Sequence, residues 1–158
     1  MFKDAPINGV AVKILSKYSD QRGWLIETFR NDELLTEFHP AMAYISMTNP
    51  QVARGPHEHI DQSDLFGFIG PSTFKIYLWD NRKDSPTYLN KMTVLAGEDE
   101  PKSILVPPGI VHAYKNIGDT LGMVTNYPNR LFMGNGKKEK VDEIRHEKDP
   151  NTIFKIED

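Results

Sequence analysis

Residues 53–64 read ARGPHEHIDQSD, which sets His57 and His59 two positions apart, just after Arg54 and Gly55 and ahead of Gln62 and Asp64. In an extended strand alternate side chains share a face and lie about 6.6 Å apart, so both imidazoles point one way and Glu58 the other. Two chemistries suit that pattern. Imidazoles converging with a carboxylate can hold a divalent transition metal ion. A single neutral imidazole can instead take a proton, since its ordinary pKa is about 6.5. The plain alternative is a set of polar side chains that pair with one another inside a sheet. Further along, VPPGIVHAYKN brings His112 after a Pro-Pro-Gly turn and ahead of Asn116.

Such groups need a frame to hold them. Segments 9–15, 24–29, 42–48, 65–69, 73–79, 88–94, 103–107, 112–116 and 121–126 are rich in β-branched and aromatic residues, and turn formers such as NPQ, GPS, GED, PPG and GD separate them. Short strands at this rhythm predict an all-β antiparallel sandwich or barrel. The segment NDELLTEF at 31–38 predicts a helix, with Asn31 or Asp32 as cap and Leu34, Leu35 and Phe38 at helical spacing. Beyond Tyr127 the chain turns polar. There, 141–147 predicts one or two helical turns, and 127–158 a C-terminal extension or a cap over the barrel mouth. With no repeat, low-complexity stretch or linker, residues 1–158 are expected to form a single domain.

Length and composition narrow the function. A chain of 158 residues can bury one core, and 39% hydrophobic with 26% charged residues is ordinary for a soluble globular protein. A net charge of -3 argues against a nucleic-acid partner. There is no cysteine, so thiolate chemistry and disulfides are excluded. No apolar leader opens the sequence and no run approaches the roughly 20 apolar residues of a membrane span. The expectation is a cytoplasmic protein with no membrane partner. Trp24, Trp79, Phe66 and Phe68 are expected in core or dimer packing, KKEK (137–140) on a solvated surface, and His39 and His146 without a role.

The two histidine segments resemble the paired motifs of the cupin superfamily: His57, His59, Asp64 and Gly70, then Pro107, Gly109, His112 and Asn116. Metal-binding cupins ligate an ion through three histidines and an acidic residue, which implies His57, His59, Asp64 and His112. Wider segments resemble one branch of that superfamily, the dTDP-4-dehydrorhamnose 3,5-epimerase family. They are SDQRGWLIETFRND (19–32), ARGPH (53–57), WDNRKDSPTY (79–88), VPPGIVHAY (106–114) and HEKDP (146–150). The resemblance implies a cupin-type jelly roll (double-stranded β-helix) with one or two short helices, forming a homodimer. It also implies a nucleotide-linked 4-keto-6-deoxy sugar as substrate, epimerised by proton abstraction next to the keto group in polysaccharide or deoxysugar biosynthesis. By that resemblance His57 is the base, oriented by Asp149; Arg22 and Arg54 meet the phosphates; Glu27 and His112 line the pocket. No cofactor is then required.

Three positions depart from the family pattern. Asp64 stands where the family has an enolate-stabilising lysine, Thr125 where it has a tyrosine acid, and His59 where it has a glutamine. A carboxylate repels an enolate unless a cation intervenes. Two further readings therefore stand beside the epimerase. One is a metal-dependent isomerase or oxygenase with a His57/His59/Asp64/His112 site. The other is a non-catalytic domain that binds sugar nucleotides.

Overall fold

A computed structural model describes residues 1–157. Thirteen strands follow in order: β1 (Lys3–Asp4), β2 (Ala11–Ile14), β3 (Lys17–Asp20), β4 (Gly23–Ile26), β5 (Tyr44–Thr48), β6 (Ala53–Glu58), β7 (Asp64–Phe68), β8 (Thr73–Asp80), β9 (Asn90–Gly97), β10 (Lys102–Val106), β11 (Ile110–Asn116), β12 (Gly122–Asn126) and β13 (Ile144–Arg145). One sheet has the order β1-β9-β8-β11-β6-β13 and the other β2-β10-β7-β12-β5; β3 and β4 form a separate hairpin. Every pairing is antiparallel except β1 with β9. This is the antiparallel sandwich that the strand rhythm predicted, in the jelly-roll form that the family resemblance implied.

Period two explains how the sheets close on each other. Phe74, Ile76 and Leu78 of β8, with Ile110 and Tyr114 of β11, meet Phe66, Phe68, Ile104, Val106 and Val124 of the facing sheet in one buried cluster. The intervening residues of β8 and β11 are buried as well. Tyr77, Trp79, Val111 and Ala113 pack with Phe154 of the C-terminal segment on the outer face. That is why residues 76–79 of β8 read as an unbroken apolar run instead of an alternating one.

The chain between the hairpin and β5 corrects the helix expected at 31–38. It forms successive turns, with Glu33 N–H on the Arg30 carbonyl at 3.1 Å and Phe38 N–H on the Leu35 carbonyl at 2.9 Å. So short a segment gains little from helix propagation and takes its shape from where its apolar residues dock. Phe38 and Leu34 dock on Leu65 and Leu105, while Leu35 stays 56% exposed. Among the described residues the only helical pieces are 3-10 turns at Asn135–Lys137 and His146–Lys148. Residues 141–147 contribute β13, which pairs with β6 through Ile144↔Glu58 and Arg145↔His57.

Candidate active site

β6 and β11 lie side by side with His57 opposite His112 and Arg54 opposite Tyr114. Three steps along β6 are thus matched to two along β11, so β6 carries a bulge. In a regular strand residues 54 and 57 would face opposite ways; the bulge lets both face inward. Gly55 makes it possible. Its φ is +84°, and a Cβ there would stand 2.6 Å from the His112 carbonyl oxygen. At the end of β6, Gly109 N–H donates to the His59 carbonyl at 2.8 Å, fastening the Pro-Pro-Gly turn to the histidine strand.

The rings of His57, His59 and His112 gather at this end of the barrel. Ring centres are 4.5 Å apart for His57 and His112, 6.0 Å for His57 and His59, and 5.8 Å for His59 and His112. Asp64, the first residue of β7, reaches in from the facing sheet and is 1% exposed. Its Oδ2 lies 3.0 Å from His59 Nε2 and 3.6 Å from His112 Nε2. Its Oδ1 accepts from Gln62 Nε2 at 3.0 Å and Asn126 Nδ2 at 2.8 Å. The His59 Nδ1 meets the Asp142 carbonyl. The Asp142 carboxylate accepts the N–H groups of Ile60, Asp61 and Gln62 at 2.8, 2.9 and 2.9 Å. The C-terminal segment thereby fixes the loop that carries Gln62.

Charge in this cluster follows from burial and pairing. Burial works to raise the Asp64 pKa, yet hydrogen bonds from His59 and Asn126 and the nearby His112 ring bring it down to about 2. Burial, reinforced by the rings of His112 and His59, lowers His57 to about 2. His112 is lowered by burial too. For His59, burial is outweighed by Asp64 and the Asp142 carbonyl, which raise it.

Other expected residues lie elsewhere. Arg54 Nε donates to Thr48 Oγ1 at 3.1 Å and its Nη2 to the Met47 carbonyl at 2.8 Å, which holds the guanidinium beside the pocket strands. Arg22 sits at the tip of the β3–β4 hairpin with a 90% exposed side chain bonded to Asp20. Glu27 pairs with Arg30 at 3.5 Å and is 48% exposed. Asp149 forms no hydrogen bond with His57 among the described residues. It is exposed, and its Oδ1 accepts the Asn151 N–H at 2.9 Å, closing its own turn. His146, given no role from the sequence, joins Glu58 Oε1 at 2.9 Å on the opposite face of β6, where Asn81 Nδ2 also donates at 2.9 Å.

Two groups that the sequence did not single out complete the pocket. Asn126 Nδ2 donates to the Tyr44 hydroxyl at 2.8 Å as well as to Asp64. Tyr44 is 45% exposed, but its hydroxyl end is turned inward, and burial pushes its pKa up to about 12. Thr125, at the expected tyrosine position, gives its Oγ1–H to the Gly67 carbonyl at 3.4 Å. Tyr127 bonds Thr28 at 2.9 Å and Tyr114 bonds Ser46 at 3.0 Å. Tyr44, reached from β5, is thus the phenol linked to the histidine cluster through one amide. A recess of about 540 Å³ near Phe2, Trp79 and Ile153 lies on the outer face of the long sheet, away from this cluster.

Comparison with known proteins bears on the same residues. The sequence profile described as dTDP-4-dehydrorhamnose 3,5-epimerase matches residues 4–136. The chain is similar to the probable low-salt glycan biosynthesis epimerase Agl13 of Haloferax volcanii, 37% identical over 127 residues covering 80% of this chain and 81% of the relative. It is also similar to the spore coat polysaccharide biosynthesis protein SpsL of Bacillus subtilis, 40% identical over 114 residues covering 72% and 74%. In fold it resembles a dTDP sugar isomerase from Desulfovibrio desulfuricans with a TM-score of 0.76, at 21% identity, over 88% of this chain and 84% of that one.

Proposed function

The chain belongs to the dTDP-4-dehydrorhamnose 3,5-epimerase family, and from that premise we propose that it epimerises a dTDP-linked 4-keto-6-deoxy sugar by exchanging a proton beside the keto group. It is an isomerase of nucleotide-sugar and glycan biosynthesis. The reaction involves no net oxidation, so the proton transfer itself calls on side chains and no redox cofactor. A hydrogen next to a ketone is acidic only because the resulting anion spreads onto the carbonyl oxygen. A base must sit beside that hydrogen and positive charge or a donor beside the oxygen.

His57 is the base in this reading. The observation that carries it is the convergence of the His57 ring with His112 and His59 at one end of the barrel. Burial and the flanking rings keep His57 unprotonated, so its lone pair is available to the substrate. Those same features weaken it as an acceptor, and the negative charge of a bound sugar nucleotide raises its proton affinity again. Tyr44, held protonated, is placed to return a proton. Arg54 is the phosphate partner on the pocket strands, through the bidentate geometry that guanidinium offers. Asp149 is left out.

Arg22 and Glu27 lie outside the cluster of their own chain, which supports a homodimer. The hairpin exposes Tyr18, Trp24 and Leu25, and the edge strand β5 exposes Ile45 and Met47. Docking of one copy on another would cover both and carry Arg22 toward a partner's pocket. We read 1–158 as one jelly-roll unit with 127–158 as its cap, working in the cytoplasm. No helix is long and apolar enough to cross a membrane among the described residues.

The test is proton exchange. In deuterated solvent, NMR should show deuterium entering the substrate beside the keto group, and His57→Asn should slow this by about 10²–10⁴-fold, the usual contribution of a general base. A native protein that exchanges no such proton overturns the proposal.

A further inference from the structure

Register lines up three polar side chains across neighbouring strands. Tyr44 of β5 is directly opposite Asn126 of β12, and Asn126 is directly opposite Phe66 of β7, with Asp64 two residues along on the same face. Asn126 Nδ2 lies 2.8 Å from Asp64 Oδ1 and 2.8 Å from the Tyr44 hydroxyl, so each of its two hydrogens has one acceptor. The Oδ1 of the same amide is buried and has no hydrogen-bond partner. Buried acceptors are rarely left unpaired. Turning the amide over would let Oδ1 take the Tyr44 O–H, but it would also set that oxygen against a carboxylate that only accepts. Asp64 therefore decides which way the amide faces, and the unpaired Oδ1 is the cost of that choice.

We propose that Asp64 is a positioning residue for the acid step: it holds the Asn126 amide with its nitrogen toward Tyr44, and so keeps the phenolic proton free for the substrate. Because the Tyr44 oxygen accepts from Asn126, its O–H points away from that bond, and no other group among the described residues pairs with it. Without the carboxylate the amide is free to turn. Its Oδ1 then takes the Tyr44 O–H, and the proton is tied up. Asp64 is itself held in place, since Gln62 Nε2 donates to the same Oδ1 at 3.0 Å and His59 Nε2 stands 3.0 Å from Oδ2. Asp64 and Asn126 are each 1% exposed, so water does not compete for either group.

A carboxylate where the family pattern has a lysine then has a reason. A lysine only donates, so at position 64 it would draw the Asn126 Oδ1 toward itself, and the same oxygen would take the Tyr44 O–H. A carboxylate on β7 and a phenol acid on β5 go together. The use of the free proton rests on the epimerase reading; the direction of the amide does not.

Exchange beside the keto group is measured for wild type, Asp64→Asn, Tyr44→Phe and the double variant, with thermal melts by circular dichroism to establish that each is folded. Asp64→Asn keeps the shape but offers Asn126 either a donor or an acceptor. It should slow exchange by at least about tenfold, part of the roughly 10²–10⁴-fold that a general acid supplies, with KM little changed. In the Tyr44→Phe background the same substitution should cost less than about twofold, since no proton remains to aim. An equal fall in both backgrounds, or no fall beside an intact Tyr44, overturns the proposal. The amide is also read without substrate, by NMR of protein labelled with ¹³C,¹⁵N-asparagine, in which the Asn126 side-chain signals are those missing from Asn126→Ser. Asp64→Asn should move the Asn126 carbonyl carbon downfield as Oδ1 gains the Tyr44 O–H, and by more beside Tyr44 than in the Tyr44→Phe chain. A carbon that moves equally in both overturns the proposal even where wild type exchanges fully. Wild type that exchanges nothing while this carbon responds as expected removes the epimerase and keeps the control of the amide by Asp64.

Discussion

The Tyr44 hydroxyl accepts from Asn126 Nδ2, so its own proton is not committed to that bond. Burial holds the phenol protonated well above neutral pH, which suits an acid and not a base. Tyr44→Phe keeps the ring and removes the proton. Exchange beside the keto group should fall by roughly a hundredfold, at the lower end of general-acid contributions, with little change in the substrate concentration for half-maximal rate. Equal rates in the variant and wild type would remove Tyr44 from the chemistry. Residues differed in how far the sequence disclosed them. His57, His59 and His112 were legible because a period-two strand and a Pro-Pro-Gly turn fix where their side chains point. Tyr44, Asn126 and Asp142 arrive from β5, β12 and the C-terminal segment, and no local spacing ties them together. Asp149 was assigned by likeness to a terminal motif, but its own turn takes up its carboxylate.

Between β8 and β9 the stretch WDNRKDSPTY folds on a single carboxylate. Asp80 is 0% exposed, and its Oδ2 accepts from Ser85 Oγ at 2.6 Å, Thr87 Oγ1 at 2.6 Å and Arg82 Nη2 at 2.8 Å. Its Oδ1 accepts from Arg82 N–H at 3.1 Å and Nε at 2.8 Å. A family-like motif is here a structural lock that sets the connection onto the strand beside β11. Burial opposes the charge, but the bonds from Arg82, Ser85 and Thr87 outweigh it and hold the Asp80 pKa well below its ordinary 3.8. A depressed carboxylate stabilises the folded state fully above its unfolded pKa. That contribution fades as pH falls below about 3.8 toward the folded value. Asp80→Asn should therefore cost about 3–5 kcal/mol near pH 7, because Arg82 is left without its carboxylate. Its deficit relative to wild type should shrink as urea titrations move from pH 5 to pH 2.5. A deficit independent of pH would show that shape, not charge, makes the lock. Elements with two buried faces, such as β8, were readable as strands from composition alone. The segment at 31–38 was not, because its helical spacing was real while its docking on Leu65 and Leu105 decided the outcome.

For the whole molecule, the question is where the β3–β4 hairpin belongs. Its strands pair with neither sheet, and it carries Tyr18 at 58%, Trp24 at 47% and Leu25 at 59% exposure, with Lys17 over the Trp24 ring. The sequence suggested core or dimer packing for Trp24, which is 47% exposed and so outside the core of its own chain. Only the fold shows that hairpin and β5 edge are open together, since exposure depends on what the rest of the chain fails to cover. Sedimentation should give a dimer for wild type and a shift toward monomer for Leu25→Glu. A stronger test uses the division of the site between copies. If Arg22 serves the partner's pocket, His57→Ala and Arg22→Ala should each exchange poorly alone. Mixed and allowed to re-equilibrate, half of the dimers are hybrid, and each hybrid holds one pocket with an intact His57 and an intact Arg22. The mixture should then recover about a quarter of wild-type exchange, as expected for a two-fold interface in which each subunit lends the same patch. If Arg22 acts within its own chain, every pocket in the mixture lacks one of the two groups and no recovery follows. A dimer that forms without recovery would keep the interface and return Arg22 to the surface turn it occupies beside Asp20.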